Sequence, residues 1–202
     1  MNRRPATTEL VKRVLRDSYL NLIVDRYTLA EDASEGGKAS VTVELHHAHE
    51  PDHTMTLEGE GVGAIDALYH ALHQHYVREY PSLETLLFTG FSVKGQMETG
   101  KGNHGADAEA AVGLVVSNSE GHAFEFEASG RSLVATALRV VVMATEWFIN
   151  SERAFITVYR ALRDARERGR VDLVNDYTAQ LAELVNTTSY SAVTERIKNE
   201  VL

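Results

Sequence analysis

Hydrophobic and polar residues alternate along the chain with two different periods, and the order of these periods predicts the elements. Three segments have the two-residue alternation or the β-branched content typical of strands: 20–29, 40–45 and 54–58. Apolar residues then recur at helical spacing from Ile65 to Tyr76, and Pro81 follows as a stop signal. This part of the chain is therefore predicted to be a β-β-β-α unit, behind a helical lead at 1–18.

The same order of elements returns further along the chain. A constant shift of 69 positions places Gly61 on Gly130, and it also places Leu22 on Phe91. Such self-similarity indicates an internal duplication, with repeats at 19–80 and 84–150. Two such units are expected to pack as a pseudo-twofold pair with helices on one side of two sheets, which makes the predicted fold class α+β.

The second predicted helix, at 133–149, is apolar almost all round. A helix of this kind must be covered on more than one side, either by a partner subunit or by the rest of the chain. Apolar residues at helical spacing on both sides of Gly169 supply such a cover. The segment 151–202 is therefore predicted to be a helical hairpin that extends the duplicated domain.

Composition narrows the function classes. The 202 residues include no cysteine, which excludes disulfides, thiolate catalysis and cysteine–zinc sites. The net charge of −9 argues against a nucleic-acid partner. The longest apolar run, 140–144, is far shorter than the ~20 residues of a membrane span. The amino terminus leads into no apolar signal segment, so we expect a soluble, cytoplasmic protein. We also expect no cofactor.

Candidate chemical groups are few. Histidines are dense between 46 and 53, and His47 and His49 would share one face of a strand, as the ligands of a Zn²⁺ or Ni²⁺ site do. A solvated hairpin turn explains the same histidines. The chain has no G-x-S-x-G turn, no phosphate-binding G-K-[ST] loop, and no defensible set of nucleophile, base and orienting residue. The sequence therefore does not predict an enzyme.

The most specific local pattern is GEGVGAIDAL at 59–68. Alternate glycines at a strand-to-helix junction would leave main-chain amides and the positive helix end open to an anion such as a carboxylate. Close packing of the strand against the helix is the other explanation for the same glycines.

These residues also carry a family resemblance. The segment 59–68 resembles the G-x-G-x-G-P-[VIL]-D-A motif of the carboxy-terminal regulatory domain of 2-isopropylmalate synthase and citramalate synthase. The segments 91–95, 105–110 and 132–139 are similar to further motifs of that domain, in the same order. The resemblance runs from about 20 to 150 and includes the duplication.

The resemblance implies a domain of two β-β-β-α units that forms a dimer and binds leucine or isoleucine near the dimer axis. In that family the bound amino acid inhibits a distant catalytic barrel. Carried over to this sequence, the effector pocket comprises Gly61, Gly63, Ile65, Asp66, Phe91, Gly95, Asp107, Ala108, Ser132 and Leu133.

Three departures from the family pattern shape the functional expectation. Ala64 stands where the family has proline, the segment 151–202 extends beyond the family domain, and the chain has no catalytic barrel. We therefore expect a stand-alone regulatory module, a homodimer that binds a branched-chain amino acid and controls a synthase in trans. The alternative is a structural or interaction protein that keeps the fold without the ligand.

Overall fold

Two separate antiparallel sheets, each of three strands, form the β part of the protein. The computed structural model describes residues 4–96 and 109–187. The first sheet has the order β1-β2-β3 and the second has the order β4-β5-β6. The first repeat comprises β1 (Leu22–Asp32), β2 (Lys38–His47), β3 (Thr54–Val62) and α2 (Gly63–Tyr76), preceded by α1 (Arg4–Leu15). The second comprises β4 (Leu87–Gln96), β5 (Glu109–Ser117), β6 (Ala123–Gly130) and α3 (Leu133–Glu167), followed by α4 (Val171–Leu184). The predicted α+β class is confirmed.

The strands of the sheets form where apolar and polar residues alternate along the sequence. In β2, Val41, Val43 and Leu45 are buried, while Ser40 between Ala39 and Val41 is exposed. Helix α2 lies on the first sheet and α3 lies on the second, so each sheet has one apolar face against a helix. In both repeats the helix packs on the second and third strands: α2 contacts β2 and β3, and α3 contacts β5 and β6. These contacts are compatible with the predicted pseudo-twofold arrangement.

Strand register defines which residues of the two repeats are counterparts. Leu45 pairs with Val24 and Met55, whereas Val116 pairs with Phe88 and Phe124. β1 and β4 also carry a register shift at the same place, directly after Val24 and Phe88. The counterparts are therefore Val24 and Phe88 in the first strands, Leu45 and Val116 in the middle strands, and Met55 and Phe124 in the third strands.

The shift of 69 positions is right for β3 and β6 but wrong for the other strands. It is 71 positions for β2 and β5 and 64 positions for β1 and β4, because the loops between the strands differ in length. The counterpart of Leu22 is consequently Leu86, and both are buried, whereas Phe91 is 51% exposed. An error of five positions exchanges the two faces of a strand, because side chains alternate with period two.

α3 is one continuous helix of 35 residues. The helix predicted for 133–149 therefore does not end there, and residue 150 lies inside α3. The polar residues Asn150 and Glu152 resemble a helix end in the sequence, but both are buried and hydrogen-bonded to other elements. Of the hairpin predicted for 151–202, the second half of α3 and α4 pack together around Gly169, which has a φ of +67°, and residues 188–202 lie outside the described residues.

The two halves of α3 lie in two apolar clusters. The first half is part of the large core between the sheets and helices, which includes Leu138 and Phe148. The second half packs with α1 and α4 in a smaller cluster of seven residues: Leu10, Val11, Leu15, Ala154, Phe155, Val158 and Leu184. The apolar surface of α3 that the sequence required to be covered is thus largely covered by the chain itself.

By length and composition α3 also passes the test for a membrane span. The mean hydropathy of its most apolar window of 18 residues is 1.4. Within the protein, however, 67% of that window is buried. Such burial is typical of the core helix of a soluble protein.

Candidate functional site

A cavity of about 550 Å³ lies between β1 and the first half of α3. This volume is in the range of small-molecule sites. Apolar side chains from both repeats form most of its wall, and Arg139 is its basic residue. The lining residues are Asn21, Leu22, Ile23, Val24, Asp25, Tyr27, Ala135, Leu138, Arg139 and Val142.

The position of β1 is fixed by polar side chains of α3. The Leu20 N–H donates to Asn150 Oδ1 at 2.8 Å, and Asn150 Nδ2 donates back to the Leu20 carbonyl at 2.8 Å. One turn earlier on the helix, Glu146 Oε1 accepts a hydrogen bond from the Leu22 N–H. β1 is an edge strand, so these bonds satisfy main-chain groups that no neighbouring strand reaches.

Glu146 lies beyond Val142, at the Leu22 end of the cavity. Burial raises the pKa of Glu146 to about 7, although the hydrogen bond from the Leu22 N–H lowers that pKa. The carboxyl group that holds the start of β1 therefore titrates near neutral pH.

The charged side chains around the cavity differ in their partners. Asp25 forms the bulge of β1, and its Oδ2 lies 2.7 Å from His46 Nδ1 of β2. Arg139 is exposed, and within the residues that the structure describes it makes no ion pair. Arg139 is thus able to bind an anionic group of a ligand at the rim of an otherwise mostly apolar cavity.

The second repeat has the counterpart of this place between β4 and α2, and there it is filled. Tyr69 is the counterpart of Leu138, and its ring packs on Phe88 with a centroid distance of 4.6 Å. The Tyr69 hydroxyl donates to the Leu83 carbonyl at 3.0 Å. Burial raises the pKa of Tyr69 to about 12. Two aromatic rings therefore occupy the volume that Val24 and Leu138 leave open.

The structure brings together three of the predicted effector residues at the start of α2. Asp66 Oδ2 accepts a hydrogen bond from the Val62 N–H at 2.9 Å, and the Gly63 N–H donates to the Gly37 carbonyl at 2.9 Å. A Cβ on Gly61 would lie 2.5 Å from Asp66 Oδ2. The Val62 and Gly63 amides thus have protein partners, and Gly61 permits close packing of β3 against α2.

The other predicted effector residues lie apart from the cavity lining. Ile65 is half-buried against the core. Ser132 caps α3, because its Oγ accepts a hydrogen bond from the Ala135 N–H, and Leu133 is exposed. Phe91 and Gly95 are exposed on β4. Asp107 and Ala108 lie outside the described residues.

The histidines are dispersed. His47 ends β2, and His49 is exposed in the following turn. His70 Nδ1 lies 2.7 Å from the Glu60 carbonyl oxygen. Across 4–96 and 109–187, no three histidine or carboxylate side chains are placed to hold a metal ion.

Sequence reasoning missed the cavity, although it included Arg139 in a motif. The informative signal was a single arginine on an otherwise apolar helix face.

No protein-family model and no curated protein matches the chain. The functional interpretation therefore depends on the cavity and on the motif resemblance.

Proposed function

We propose that this chain is a stand-alone regulatory module that binds a branched-chain amino acid, leucine or isoleucine, in the cavity between β1 and α3. The observation that carries the proposal is the combination of aliphatic walls and the Arg139 guanidinium, which makes no ion pair with the described residues, around a space of about 550 Å³. The proposal keeps the predicted ligand class but assigns the ligand to this cavity instead of the start of α2, where the Val62 and Gly63 amides have protein partners.

Each part of an amino acid has a complement there. The carboxylate pairs with Arg139, since a guanidinium offers two parallel donors to a carboxylate. The ammonium donates to main-chain carbonyls of β1. The branched side chain packs against Leu138 and Val142, both of which are buried; burial of an aliphatic side chain favours binding by about 1.5–3 kcal/mol.

The regulatory role rests on the motif resemblance. We propose that the module acts in the cytoplasm as a homodimer and controls a synthase in trans, through coupling between the two proteins' ligand sites. The chain catalyses no synthase reaction by itself in this proposal, and it needs no cofactor or metal.

Isothermal titration tests the proposal with leucine, isoleucine and valine at millimolar concentrations. We expect binding of one amino acid per chain, and Arg139→Gln should weaken it at least tenfold. The control is Arg163→Gln, which removes an exposed arginine from the second half of the same helix. The absence of binding heat with all three amino acids would contradict the proposal.

A structural or interaction protein is the second candidate. The observation that favours it is the exposure of Phe91 (51%) and Val93 (45%) on β4. Under this alternative, Phe91→Asp abolishes self-association or partner capture, as sedimentation velocity would show, and no amino acid binds. Leu87→Asp on the same strand is the matched control, because Leu87 is also exposed but precedes the bulge.

A further inference from the structure

We propose that the free edge of β1 binds the main chain of the ligand, so that the cavity also takes a short extended peptide whose carboxy-terminal residue is aliphatic. This inference rests on the site of the proposed function and extends its ligand class. The argument depends on the spacing of α3 and β1, on the direction of the main-chain groups of β1, and on the place of Arg139.

The spacing of the polar contacts shows how α3 and β1 run past each other. Asn150 contacts Leu20 and Glu146 contacts Leu22, so four residues of the helix correspond to two residues of the strand. Four helical residues rise about 6 Å. Two strand residues extend by a similar length, about 6.6 Å. The next step of the same series places Val142 opposite Val24.

Side chains of α3 hydrogen-bond to the main chain at Leu20 and Leu22, but not at Val24, which lies opposite Val142. Within an antiparallel strand, alternate residues direct both main-chain groups to the same side. The Asn21 carbonyl accepts from the Ala48 N–H, toward β2, whereas the Leu20 and Leu22 amides bond to α3. The main-chain N–H and carbonyl groups of Val24 therefore face α3 as well. The side chain of Val142 has no group that could hydrogen-bond to them.

The cavity thus exposes a short piece of unpaired strand edge. It comprises the Leu22 carbonyl and the Val24 N–H and carbonyl, and no side chain in the described part of the chain hydrogen-bonds to Val24. Such an edge is a template for another extended main chain, which supplies donors and acceptors in the same alternation.

Arg139 fixes the direction and length of the bound chain. It lies three residues before Val142 on α3, and hence about 4.5 Å toward the Tyr27 end of β1. A ligand whose carboxylate pairs with Arg139 then runs parallel to β1, from Leu22 toward Tyr27. Two residues fill the distance, and because side chains alternate along an extended chain, the carboxy-terminal side chain faces Leu138 and Val142 while the preceding one points away.

The test compares ligands, so that it does not depend on a variant that folds. The probes are leucine, the dipeptide Leu-Leu, the same dipeptide methylated at its peptide nitrogen, and Leu-Leu amide, each titrated calorimetrically. We expect Leu-Leu to bind at least tenfold more tightly than leucine. Methylation should remove that gain, because it removes the N–H that donates to β1, and amidation should weaken binding as Arg139→Gln does.

A protein variant tests the same strand edge by removing a donor of β1 instead of a group of the ligand. Val24→Pro removes the Val24 N–H without removing a donor from the β1–β2 pairing, and proline is tolerated on the open side of an edge strand. With unchanged circular dichroism, this variant should bind Leu-Leu at least tenfold more weakly. Val24→Thr, which keeps the N–H and the branched shape, should bind Leu-Leu as the unchanged protein does.

The outcomes separate the two proposals. Binding of leucine without binding of Leu-Leu, or equal binding of Leu-Leu and its methylated form, overturns the inference and leaves the proposed function standing. Binding of Leu-Leu without binding of leucine supports the inference and contradicts the free amino acid as effector. Binding of neither overturns both.

Discussion

The two repeats have the same order of elements, the same bulge in the first strand and the same glycine near the end of the third strand, yet only one of two corresponding places is a cavity. Between β1 and α3, Val24 and Leu138 leave about 550 Å³ open. Between β4 and α2, the counterparts Phe88 and Tyr69 are packed ring on ring. The two places differ in side-chain volume, because Val24 and Leu138 are smaller than Phe88 and Tyr69.

The two repeats therefore share one order of elements, and the side chains that face each other determine whether a cavity lies between them. Interiors pack to a uniformly high density, so a void is kept only where the neighbouring side chains cannot close it. The two places also differ in polarity: Glu146 of α3 accepts a hydrogen bond from the Leu22 N–H, whereas its counterpart Val77 is apolar and packs against the core.

The largest effect is expected from the third strands. A Cβ on Gly59 would lie 2.2 Å from the Ala67 carbonyl oxygen, while its counterpart in β6 is Ala128, which has that Cβ. Gly59→Ala should cost about 3 kcal/mol or more of unfolding free energy, because main chain must move. Ala128→Gly should cost only about 1 kcal/mol. Urea unfolding measures both, and equal costs would show that the repeats pack alike.

The next effect depends on pH. Since the pKa of Glu146 is about 7 in the folded protein and near 4.5 when unfolded, the folded state binds the proton more tightly. This contribution to stability is complete below about pH 4.5, is lost as the pH rises to about 7, and stays lost above it. At pH 8, Glu146→Gln should be more stable than the unchanged protein by about 3 kcal/mol.

The control for this prediction is the same comparison at pH 4, where the two proteins should have nearly equal stability. Thermal unfolding across pH 4–8 provides the measurement. A constant difference between the two proteins at all pH values would contradict a titration of Glu146.

A smaller effect is expected when the closed place is opened. Tyr69→Leu removes the ring that packs on Phe88 and should cost about 2 kcal/mol of unfolding free energy. Tyr69→Phe keeps the ring and loses only the hydrogen bond to the Leu83 carbonyl, so it should cost about 1 kcal/mol. Chemical denaturation measures both unfolding free energies. If the two variants lose the same amount, the hydroxyl group and not the packing of the ring on Phe88 accounts for the stabilisation by Tyr69.

The smallest effect on stability is expected when the open place is closed. Leu138→Tyr gives α3 the residue of its counterpart, and the adjacent cavity accommodates the larger side chain, so stability should change by less than about 1 kcal/mol. Leucine binding should nevertheless be lost in calorimetry. Retained binding would place the amino acid elsewhere in the molecule.

Much of the fold followed from the chain's own periodicity. The alternation at 40–45 predicted β2, and the helical spacing from Ile65 to Tyr76 predicted α2 almost to its ends. The continuous α3 was not predicted, because Asn150 and Glu152 are polar as residues at a helix end usually are. Their burial is explained only by partners distant in the sequence, Leu20 and Ser82.

The candidate site was harder to predict for a physical reason. A cavity depends on the volumes of side chains that face each other, and Val24 and Leu138 are brought together by the tertiary fold alone. A constant shift also misplaced the first strand, since it matched Leu22 with the exposed Phe91. The correct match with Leu86 requires the loop lengths, which the sequence pattern does not reveal.

The bond between Leu20 and Asn150 joins positions 130 residues apart, which bears on how the chain matures during its synthesis. The strands and α2 of the first repeat leave the ribosome before α3 does, and Asn150, which bonds to the main chain directly before β1, follows Leu20 only after 130 residues have been added. At about 5–20 residues per second this takes on the order of 10 s. For that time the nascent chain carries an uncovered strand edge, the feature by which other nascent chains pair with it, and slower translation before α3 should increase aggregation.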